Sequence, residues 1–325
     1  MMKLGKTYLC RYAHQDDDVP AGWVSQPLGG HHGANGYVLW SKDMPDSPFK
    51  LPEGNVQISF SGGRTSAYML HQILVANNGL PDRAVVTFAN TGREMPQTLD
   101  FVNECSHRWD VPIVWLEYDR PENKVGFKVV TRETASERGE PFELMIRAKN
   151  NYIPNVVRRF CTSELKVLTI KRYLVQELGW DKWTQAVGIR ADERHRVKKK
   201  ELDNRWVSWY PLVAANEAKE DVAEFWHKQN LAFDFDLRLP NINGFCPQGN
   251  CDFCFLKSEH TLALMIKEYP ERFEWWQKME DLSPRTFGRN RNLRDLKDFV
   301  ERQQDWVFDE VGYFCQADGG ECTGD

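Results

Sequence analysis

The sequence predicts an α/β protein in which helices cover both faces of a parallel sheet. Three short apolar runs bounded by turn residues predict strands at residues 56–60, 84–89 and 113–116. Helical patterns over residues 66–78 and 96–109 separate these runs. Strands that alternate with helices form parallel βαβ units. Ligands bind such sheets at the carboxyl ends of the strands, near the point where the strand order reverses.

The composition is that of a soluble globular protein. The 325 residues can form one large or two small domains, and 41% of them are hydrophobic and 27% charged. No apolar run approaches the roughly 18 residues of a membrane span, and the first residues lack the features of a secretory signal. We therefore expect a cytoplasmic protein without membrane contact. A formal net charge of −5 argues against a surface that coats nucleic acid.

Three segments are predicted along the chain. Residues 1–54 show no clear period and are expected to form an irregular or short-stranded extension. Residues 55–258 contain the alternating strands and helices together with a cysteine cluster. Within them, residues 126–155 have a polar centre and are interpreted as a lid or specificity insert. Residues 259–325 are expected to be helical and aromatic-rich, with a flexible tail that contains cysteines.

The stretch NVQISFSGGRTS at residues 55–66 is predicted to be a strand, a glycine loop and a helix start. Glycines let the backbone approach a phosphate closely, and the free amides at a helix start point at the anion. Six residues are therefore candidates for phosphate binding: Ser61, Gly62, Gly63, Arg64, Thr65 and Ser66. The alternative is an ordinary βα turn that contains two glycines. The spacing is not that of a Walker A motif.

Two further turns follow predicted strands and are expected at the same edge of the sheet. The first turn contributes Thr91, Gly92 and Glu94, and its alternative is turn chemistry alone. The second turn follows a strand at residues 183–187 and contributes Gly188, Arg190 and Arg194. Guanidinium groups bind phosphate or sulfate through paired hydrogen bonds. The alternative is a surface ion-pair cluster of these arginines with Asp192 and Glu193.

These motifs, in this order, resemble the PP-loop nucleotide-binding superfamily and, within it, the phosphoadenosine phosphosulfate (PAPS) reductase family. The superfamily's loop commonly reads SGGKDS, so Arg64 stands at the lysine position and Thr65 at the aspartate position. Arg64 keeps the positive charge and is assigned a catalytic role, whereas Thr65 removes a carboxylate. The resemblance implies a Rossmann-like α/β/α sandwich that binds an adenine nucleotide, either ATP with Mg²⁺ or a sulfonucleotide.

Eight cysteines in a chain expected in the cytoplasm indicate metal or redox chemistry rather than disulfides. Cys246, Cys251 and Cys254 follow a C-x4-C-x2-C pattern, which predicts a metal site. The segment around Cys161 resembles the family motif R-x-C-T-x-x-L-K, at the start of a helix predicted over residues 163–178. The resemblance implies Cys161 as the fourth ligand. Thiolates suit a [4Fe–4S] cluster or a structural zinc ion, and the resemblance favours the cluster.

The resemblance implies an enzyme of sulfur metabolism, with two competing reactions. In the first, ATP adenylates a nucleic acid or a small molecule, which then receives sulfur from a sulfur donor protein. In the second, Cys322 attacks the sulfur of adenylyl sulfate or PAPS, and sulfite is released with the help of a thioredoxin-like reductant. The tail sequence around Cys322, ECTG, is similar to the nucleophile motif of sulfonucleotide reductases. A third hypothesis is a non-catalytic nucleotide-binding protein with structural zinc.

Overall fold

The structure is a computed structural model, and it describes residues 47–197, 204–229, 251–288 and 292–302 with their side chains. For the N-terminal segment it describes the backbone of four strands: β1 (Met2–Leu4), β2 (Thr7–His14), β3 (Val24–Gln26) and β4 (Tyr37–Ser41). These strands pair in the order β1-β2-β4-β3, and each pair is antiparallel. The interpretation of residues 1–54 as a separate extension stays a prediction.

A six-stranded sheet forms the centre of the fold. Its strands are β5 (Val56–Ser59), β6 (Ala84–Asn90), β7 (Ile113–Asp119), β8 (Gly126–Val130), β9 (Trp183–Ala186) and β10 (Trp206–Trp209). They lie in the order β10-β9-β5-β6-β7-β8. Four neighbouring pairs are parallel, and β8 alone among these strands runs antiparallel to its neighbour. The sheet is therefore mostly parallel, as predicted, and the antiparallel edge strand β8 makes it mixed.

The predicted strands and helices exist with small shifts at their ends, whereas β8 and β10 were not predicted. Helices of the α/β part are α1 (Arg64–Asn77), α2 (Pro96–Arg108), α3 (Glu140–Ala148), α4 (Leu168–Gln176), α5 (Pro211–Ala214) and α6 (Lys219–Phe233). The C-terminal helices are α7 (Glu259–Glu268), α8 (Pro270–Asp281) and α9 (Leu293–Arg302). In the parts that the structure describes, no helix is long and apolar enough to cross a bilayer.

The helix predicted over residues 163–178 begins as a π-helix, Thr162–Val167, and continues as α4. The Thr169 hydroxyl donates to the Glu164 carbonyl, five residues earlier, at 2.8 Å. This spacing matches the wide π turn, a feature often found at functional sites. The helix α4 ends at Gln176, two residues before the predicted end, and the Leu178 side chain is exposed.

Three apolar clusters are present in the described parts of the chain, and the smallest of them joins Leu174 of α4 to Trp183 of β9 and Trp206 of β10. The first lies between β5, β6 and β7 and the helices α1, α2 and α6. The second joins α3, the π-helix and α7 to α9, and it also contains Cys251 and Cys254. Phe142 of α3 packs there against Trp275 and Trp276, with ring centroids 5.5 Å apart in both pairs. The C-terminal helices thus share one core with the cysteine segment.

The chain leaves β7 toward β8 at one edge and then returns to β9 on the other side of β5. The strand order therefore reverses between β5 and β9. In open α/β sheets the loops that leave two such strands diverge and leave a crevice between them. The glycine loop at residues 60–66 follows β5, and the turn at residues 187–190 follows β9.

Candidate functional site

The glycine loop has a conformation that its sequence requires. Gly62 has φ +79°, and a Cβ there would lie 2.6 Å from Thr98 Cγ2, closer than real Cβ atoms approach their neighbours. The Ser66 hydroxyl oxygen accepts a hydrogen bond from the Ser61 amide at 3.1 Å and donates to the Gly63 carbonyl at 3.0 Å. The two serine oxygens are 2.9 Å apart. Hydrogen bonds between the two predicted serines therefore connect the beginning of the loop to its end.

Helix α1 starts directly after this loop, with Gly63 as its extended N-cap residue. No side chain within the described parts of the chain caps this end, and the first amides of an α-helix have no acceptor inside the helix. Trp226 Nε1 donates to the Arg64 carbonyl at 3.0 Å. The Arg64 side chain itself is exposed, although Arg64 was predicted to be catalytic. Of the six predicted loop residues, Ser61 and Ser66 line the cavity described below, whereas Gly62, Gly63, Arg64 and Thr65 are not among its lining residues.

The turn after β9 meets the glycine loop through a buried arginine. Arg190 Nη1 donates to Thr65 Oγ1 at 3.1 Å, and its Nε and Nη2 donate to the Asp192 carboxylate at 3.1 and 3.2 Å. Burial alone would raise the pKa of Asp192, but the hydrogen bonds and charge of Arg190 outweigh it and lower that pKa. Glu193 lies 3.5 Å from the same guanidinium. The expected alternative, an ion-pair cluster, is therefore present, but Arg190 is buried.

The other two predicted residues of this turn lie in different surroundings. Gly188 lines the cavity described below. Arg194 is exposed and donates to Asn216 Oδ1 at 3.0 Å. Arg196, which the sequence analysis did not select, lines the cavity and forms an ion pair with Glu193. Arg194, the predicted cation, and Arg196, the cation that lines the cavity, are two positions apart in the 3₁₀ helix Ala191–Arg196 and therefore lie on different sides of it.

A cavity of about 120 Å³ lies over the carboxyl ends of the strands, between the sheet and the π-helix. Ser61 and Ser66 of the glycine loop line it on one side, and Thr162 and Lys166 of the π-helix line it on the other. Trp206 and Tyr210 contribute aromatic surface. Phosphate-binding loops, cations and aromatic walls are together typical of a nucleotide pocket.

Four polar side chains of the sheet, Ser59, Thr87, Gln185 and Ser208, line this cavity, and Gln57 is buried beside them. Gln57 Nε2 donates to Thr87 Oγ1 at 2.8 Å and to Ser59 Oγ at 3.1 Å, and Gln185 Nε2 donates to Ser59 Oγ at 3.2 Å. Ser208 continues the stripe on β10. We call these five residues the polar stripe. Central parallel strands are usually apolar on both faces, so the stripe is unusual for its position and lets the cavity offer hydrogen bonds.

The predicted residues of the turn after β6 are buried and hydrogen-bonded to one another. Glu94 Oε2 accepts from the Thr91 amide and the Thr91 hydroxyl, both at 2.9 Å. The Gly92 amide donates to Asn90 Oδ1 at 3.0 Å. Lys166 Nζ lies 3.8 Å from Glu94 Oε1. This buried carboxylate therefore connects the turn to a cation that lines the cavity.

Two of the predicted metal ligands are buried next to this turn. Cys251 and Cys254 are joined by a tight turn, in which the Cys254 amide donates to the Cys251 carbonyl at 3.2 Å. Cys251 Sγ lies 3.2 Å from Thr91 Oγ1. Cys161 is half-buried against the same core, and Cys246 and Cys322 lie outside the described residues. In the segments that the structure describes, no three side chains of His, Cys, Asp or Glu are grouped as a metal site.

Soft thiolates on a C-x2-C turn are the ligands that zinc and iron–sulfur clusters use. Cys251 and Cys254 therefore fit half of a four-cysteine site. Cys161 belongs to the same core without completing a three-residue group, and Cys246 would have to supply the remaining thiolate. The structure thus supports a cysteine pair, and the four-cysteine site stays a prediction.

A domain match assigns the chain to a family. The model of the phosphoadenosine phosphosulfate reductase domain matches residues 55–233, which is more than half of the 325 residues. The chain belongs to the PAPS reductase domain family. The resemblance drawn from the glycine loop and its companion motifs is thereby confirmed. Members of this family provide the framework for the proposals that follow.

One relative and two solved structures place this PAPS reductase-family chain among known proteins. An uncharacterized nin region protein of Escherichia phage lambda, ORF290, is 32% identical over 217 residues, covering 65% of this chain and 69% of the phage protein. The PAPS reductase from Candida auris, a phosphate complex, is 18% identical with a TM-score of 0.37, covering 57% of this chain and 80% of its own.

The U34-tRNA thiolase NcsA from Methanococcus maripaludis, solved with its [4Fe–4S] cluster, is 11% identical with a TM-score of 0.30. The match covers 83% of this chain and 78% of NcsA. TM-scores of this size describe partial overlap. The family assignment therefore rests on the domain match over residues 55–233.

Proposed function

We propose that this PAPS reductase-family protein binds an adenine nucleotide in the cavity at the switch point between β5 and β9. One observation carries the proposal: Ser61 and Ser66 of the glycine loop, at the uncapped start of α1, line the same cavity as Lys166 and Arg196. Backbone amides and the positive end of a helix dipole favour phosphate oxygens. The polar stripe offers hydrogen bonds to the rest of the nucleotide.

The first reaction that we propose is adenylation by ATP followed by sulfur transfer. A carbonyl-type oxygen of the acceptor attacks the α-phosphorus of ATP, the bond to the bridging oxygen breaks, and pyrophosphate leaves. A sulfur donor protein then delivers hydrosulfide to the activated carbon, and AMP leaves with the acceptor's oxygen. The acceptor is a nucleic acid or a small molecule. The SGGRTS loop favours this reaction because it resembles the loops of family members that cleave ATP.

The residues of the site would contribute binding and charge rather than covalent chemistry. The loop amides and Lys166 would offset the negative charge that develops as pyrophosphate leaves. Glu94 holds Lys166 at one end of the cavity, and Arg190 holds the two strand-end loops together. If Cys161, Cys246, Cys251 and Cys254 bind a [4Fe–4S] cluster, it would supply a redox-active centre, whereas zinc would supply a structural cross-link.

A second reaction is favoured by one sequence feature, the tail motif around Cys322. The Cys322 thiolate would attack the sulfate sulfur of adenylyl sulfate or PAPS and break its bond to the phosphate oxygen, so that the nucleotide leaves. A dithiol reductant of the thioredoxin type would then reduce the S-sulfocysteine. Sulfite would be released, the Cys322 thiol would be regenerated, and the reductant would be oxidised to its disulfide.

Calorimetry with ATP, adenylyl sulfate and PAPS on metal-replete protein tests nucleotide binding. Lys166→Ala should weaken the affinity at least about ten-fold, or ~1.4 kcal/mol, because it removes a cation from the cavity wall. Lys182→Ala is the matched control, since Lys182 is exposed at the amino end of β9. If none of the three nucleotides is taken up by the folded protein, the proposed function is wrong.

Product analysis then separates the reactions. Pyrophosphate from ATP supports adenylation, and sulfite from a sulfonucleotide supports reduction. Full sulfite release by Cys322→Ser would remove the reductase hypothesis. Uptake of nucleotide with neither product, by a colourless protein that contains zinc, would support the non-catalytic hypothesis.

A further inference from the structure

Asp252 lies between the two cysteines of the C-x2-C turn and is fully buried. Its Oδ2 accepts from Arg93 Nη2 at 2.5 Å and from Arg272 Nε at 2.7 Å. Its Oδ1 accepts from Trp276 Nε1 at 2.6 Å and from the Phe253 amide at 2.9 Å. One carboxylate thus joins three parts of the chain: the turn after β6, the cysteine segment and α8.

Two partners of Asp252, Arg93 and Arg272, also belong to or contact the turn at residues 91–94, on the proposed nucleotide side of the site. Arg93 lies in the turn that contains Thr91 and Glu94, and its carbonyl accepts from the Asp252 amide at 2.7 Å. Arg272 Nη2 donates to the Glu94 carbonyl at 2.8 Å. Trp275 of α8 packs under the Arg93 guanidinium, 4.9 Å from the ring centroid. These contacts fix the cysteine segment to the turn whose Glu94 pairs with Lys166.

We propose that Asp252 is the positioning residue that holds Cys251 and Cys254 against the turn at residues 91–94. The proposal deepens the proposed function, on which it rests for the ligand role of the two cysteines. A buried carboxylate loses its hydration and persists only where charged partners and hydrogen bonds replace it. For Asp252, the donors that replace water belong to the turn after β6 and to α8. The carboxylate therefore connects both elements to the cysteine segment.

The charges explain why loss of this carboxylate should open the segment. Burial lowers the pKa of Arg93, the Asp252 carboxylate raises it, and the Arg272 cation lowers it again, with a net decrease. Arg93 and Arg272 therefore repel each other, and Asp252 compensates that repulsion. In Asp252→Asn, two guanidinium groups would remain in a buried space with an amide that can donate toward them. The cysteine segment would then separate from the turn.

The experiment measures alkylation of individual cysteines by mass spectrometry in the full chain after metal removal with a chelator. In Asp252→Asn, Cys251 and Cys254 should react at least about ten-fold faster than in the wild type, because local opening exposes them. Cys105 is the internal reference, since it is fully buried in the other core. Asp281→Asn is the matched control, because Asp281 pairs with Arg294 at the surface.

Two results would overturn the proposal. One is a change of less than about two-fold in the alkylation of both cysteines. The other is a parallel increase for Cys105, which would make Asp252 a residue of general stability. As a second readout, Co²⁺ added to the wild type should give thiolate charge-transfer absorbance, and Asp252→Asn should weaken it. A wild type without that absorbance would contradict the ligand role in the proposed function, whereas the alkylation ratio still decides the role of Asp252.

Discussion

Arg190 donates a hydrogen bond to the Thr65 hydroxyl at 3.1 Å, although 125 positions separate the two residues in the chain. The bond crosses the switch point from the turn after β9 to the first turn of α1. Asp192 holds the other side of the same guanidinium. The family's usual loop has an aspartate where this chain has Thr65, so a neutral hydroxyl here accepts from the arginine. The pair therefore fixes the glycine loop without adding another carboxylate beside Asp192.

Thr65→Val should destabilise the protein, because it leaves one buried N–H of Arg190 without its acceptor. The expected loss is about 1–3 kcal/mol of the free energy of unfolding. Thr65→Ser keeps the hydroxyl and is the matched control, with an expected loss of less than about 1 kcal/mol. Urea denaturation measures both values. Equal losses for the two variants would show that the hydrogen bond contributes nothing.

Arg190→Lys should weaken nucleotide binding about 10- to 100-fold, or ~1.4–2.8 kcal/mol. A lysine ammonium cannot bind the Asp192 carboxylate through two parallel hydrogen bonds and reach Thr65 as well. Calorimetry with the nucleotide that binds the wild type measures the effect. Arg205→Lys is the control, since Arg205 pairs with Asp181 near the opposite ends of the strands. An unchanged affinity for Arg190→Lys would contradict its role in the loop.

Gly62→Ala should destabilise the protein more than Gly54→Ala. The two glycines have similar angles, φ +79° and φ +77°, so each alanine adds the cost of a left-handed residue, about 1–2 kcal/mol. Only at Gly62 does the new Cβ meet another group, Thr98 Cγ2, and such overpacking costs roughly 1–3 kcal/mol more. Denaturation midpoints of the two variants measure the difference. Equal destabilisation would mean that the neighbourhood of Gly62 can relax.

Glu280 should make stability depend on pH. Burial raises the pKa of Glu280, although the amides of Phe287 and Leu293 donate to its carboxylate and partly oppose the shift. A carboxyl whose folded-state pKa exceeds its unfolded value contributes stability below the unfolded pKa and loses that contribution as the pH rises through the folded pKa. The advantage of the wild type over Glu280→Gln should therefore shrink in that window.

Urea denaturation of both proteins at a series of pH values, beginning near the ordinary pKa of glutamate, measures this difference. Glu274→Gln, on the exposed face of the same helix, is the matched control. An advantage that grows with pH would show that hydrogen bonding to the Glu280 carboxylate outweighs its burial.

The sequence predicted the parallel core of the fold because the decisive signals are local. Alternation of short apolar runs with helical periods locates β5, β6, β7 and the helices between them. The antiparallel strand β8 was missed because it lies at the edge, where Val129 is exposed and no continuous apolar run forms. The π turn was missed because helical periodicity does not distinguish it from an α-helix.

The candidate site could be predicted only as a set of motifs. The glycine loop and the turns after the next strands follow from position, since strand ends share one edge of a sheet. The bond between Arg190 and Thr65 depends on the strand order, which no local pattern specifies. Asp252 was overlooked because its neighbours were read as metal ligands, and its partner Arg272 lies 20 positions away on α8.

The polar stripe places hydrogen-bonding side chains in the centre of the sheet, where an apolar sheet would have none. Gln57, Thr87 and Gln185 stand where branched aliphatic side chains usually pack, so a ligand that hydrogen-bonds to the stripe would add stability that apolar packing does not supply here. A compound that binds only the native form stabilises it by mass action, and proteases remove the unfolded fraction. The cellular concentration of such a compound would therefore affect how fast the protein is degraded as well as how active it is.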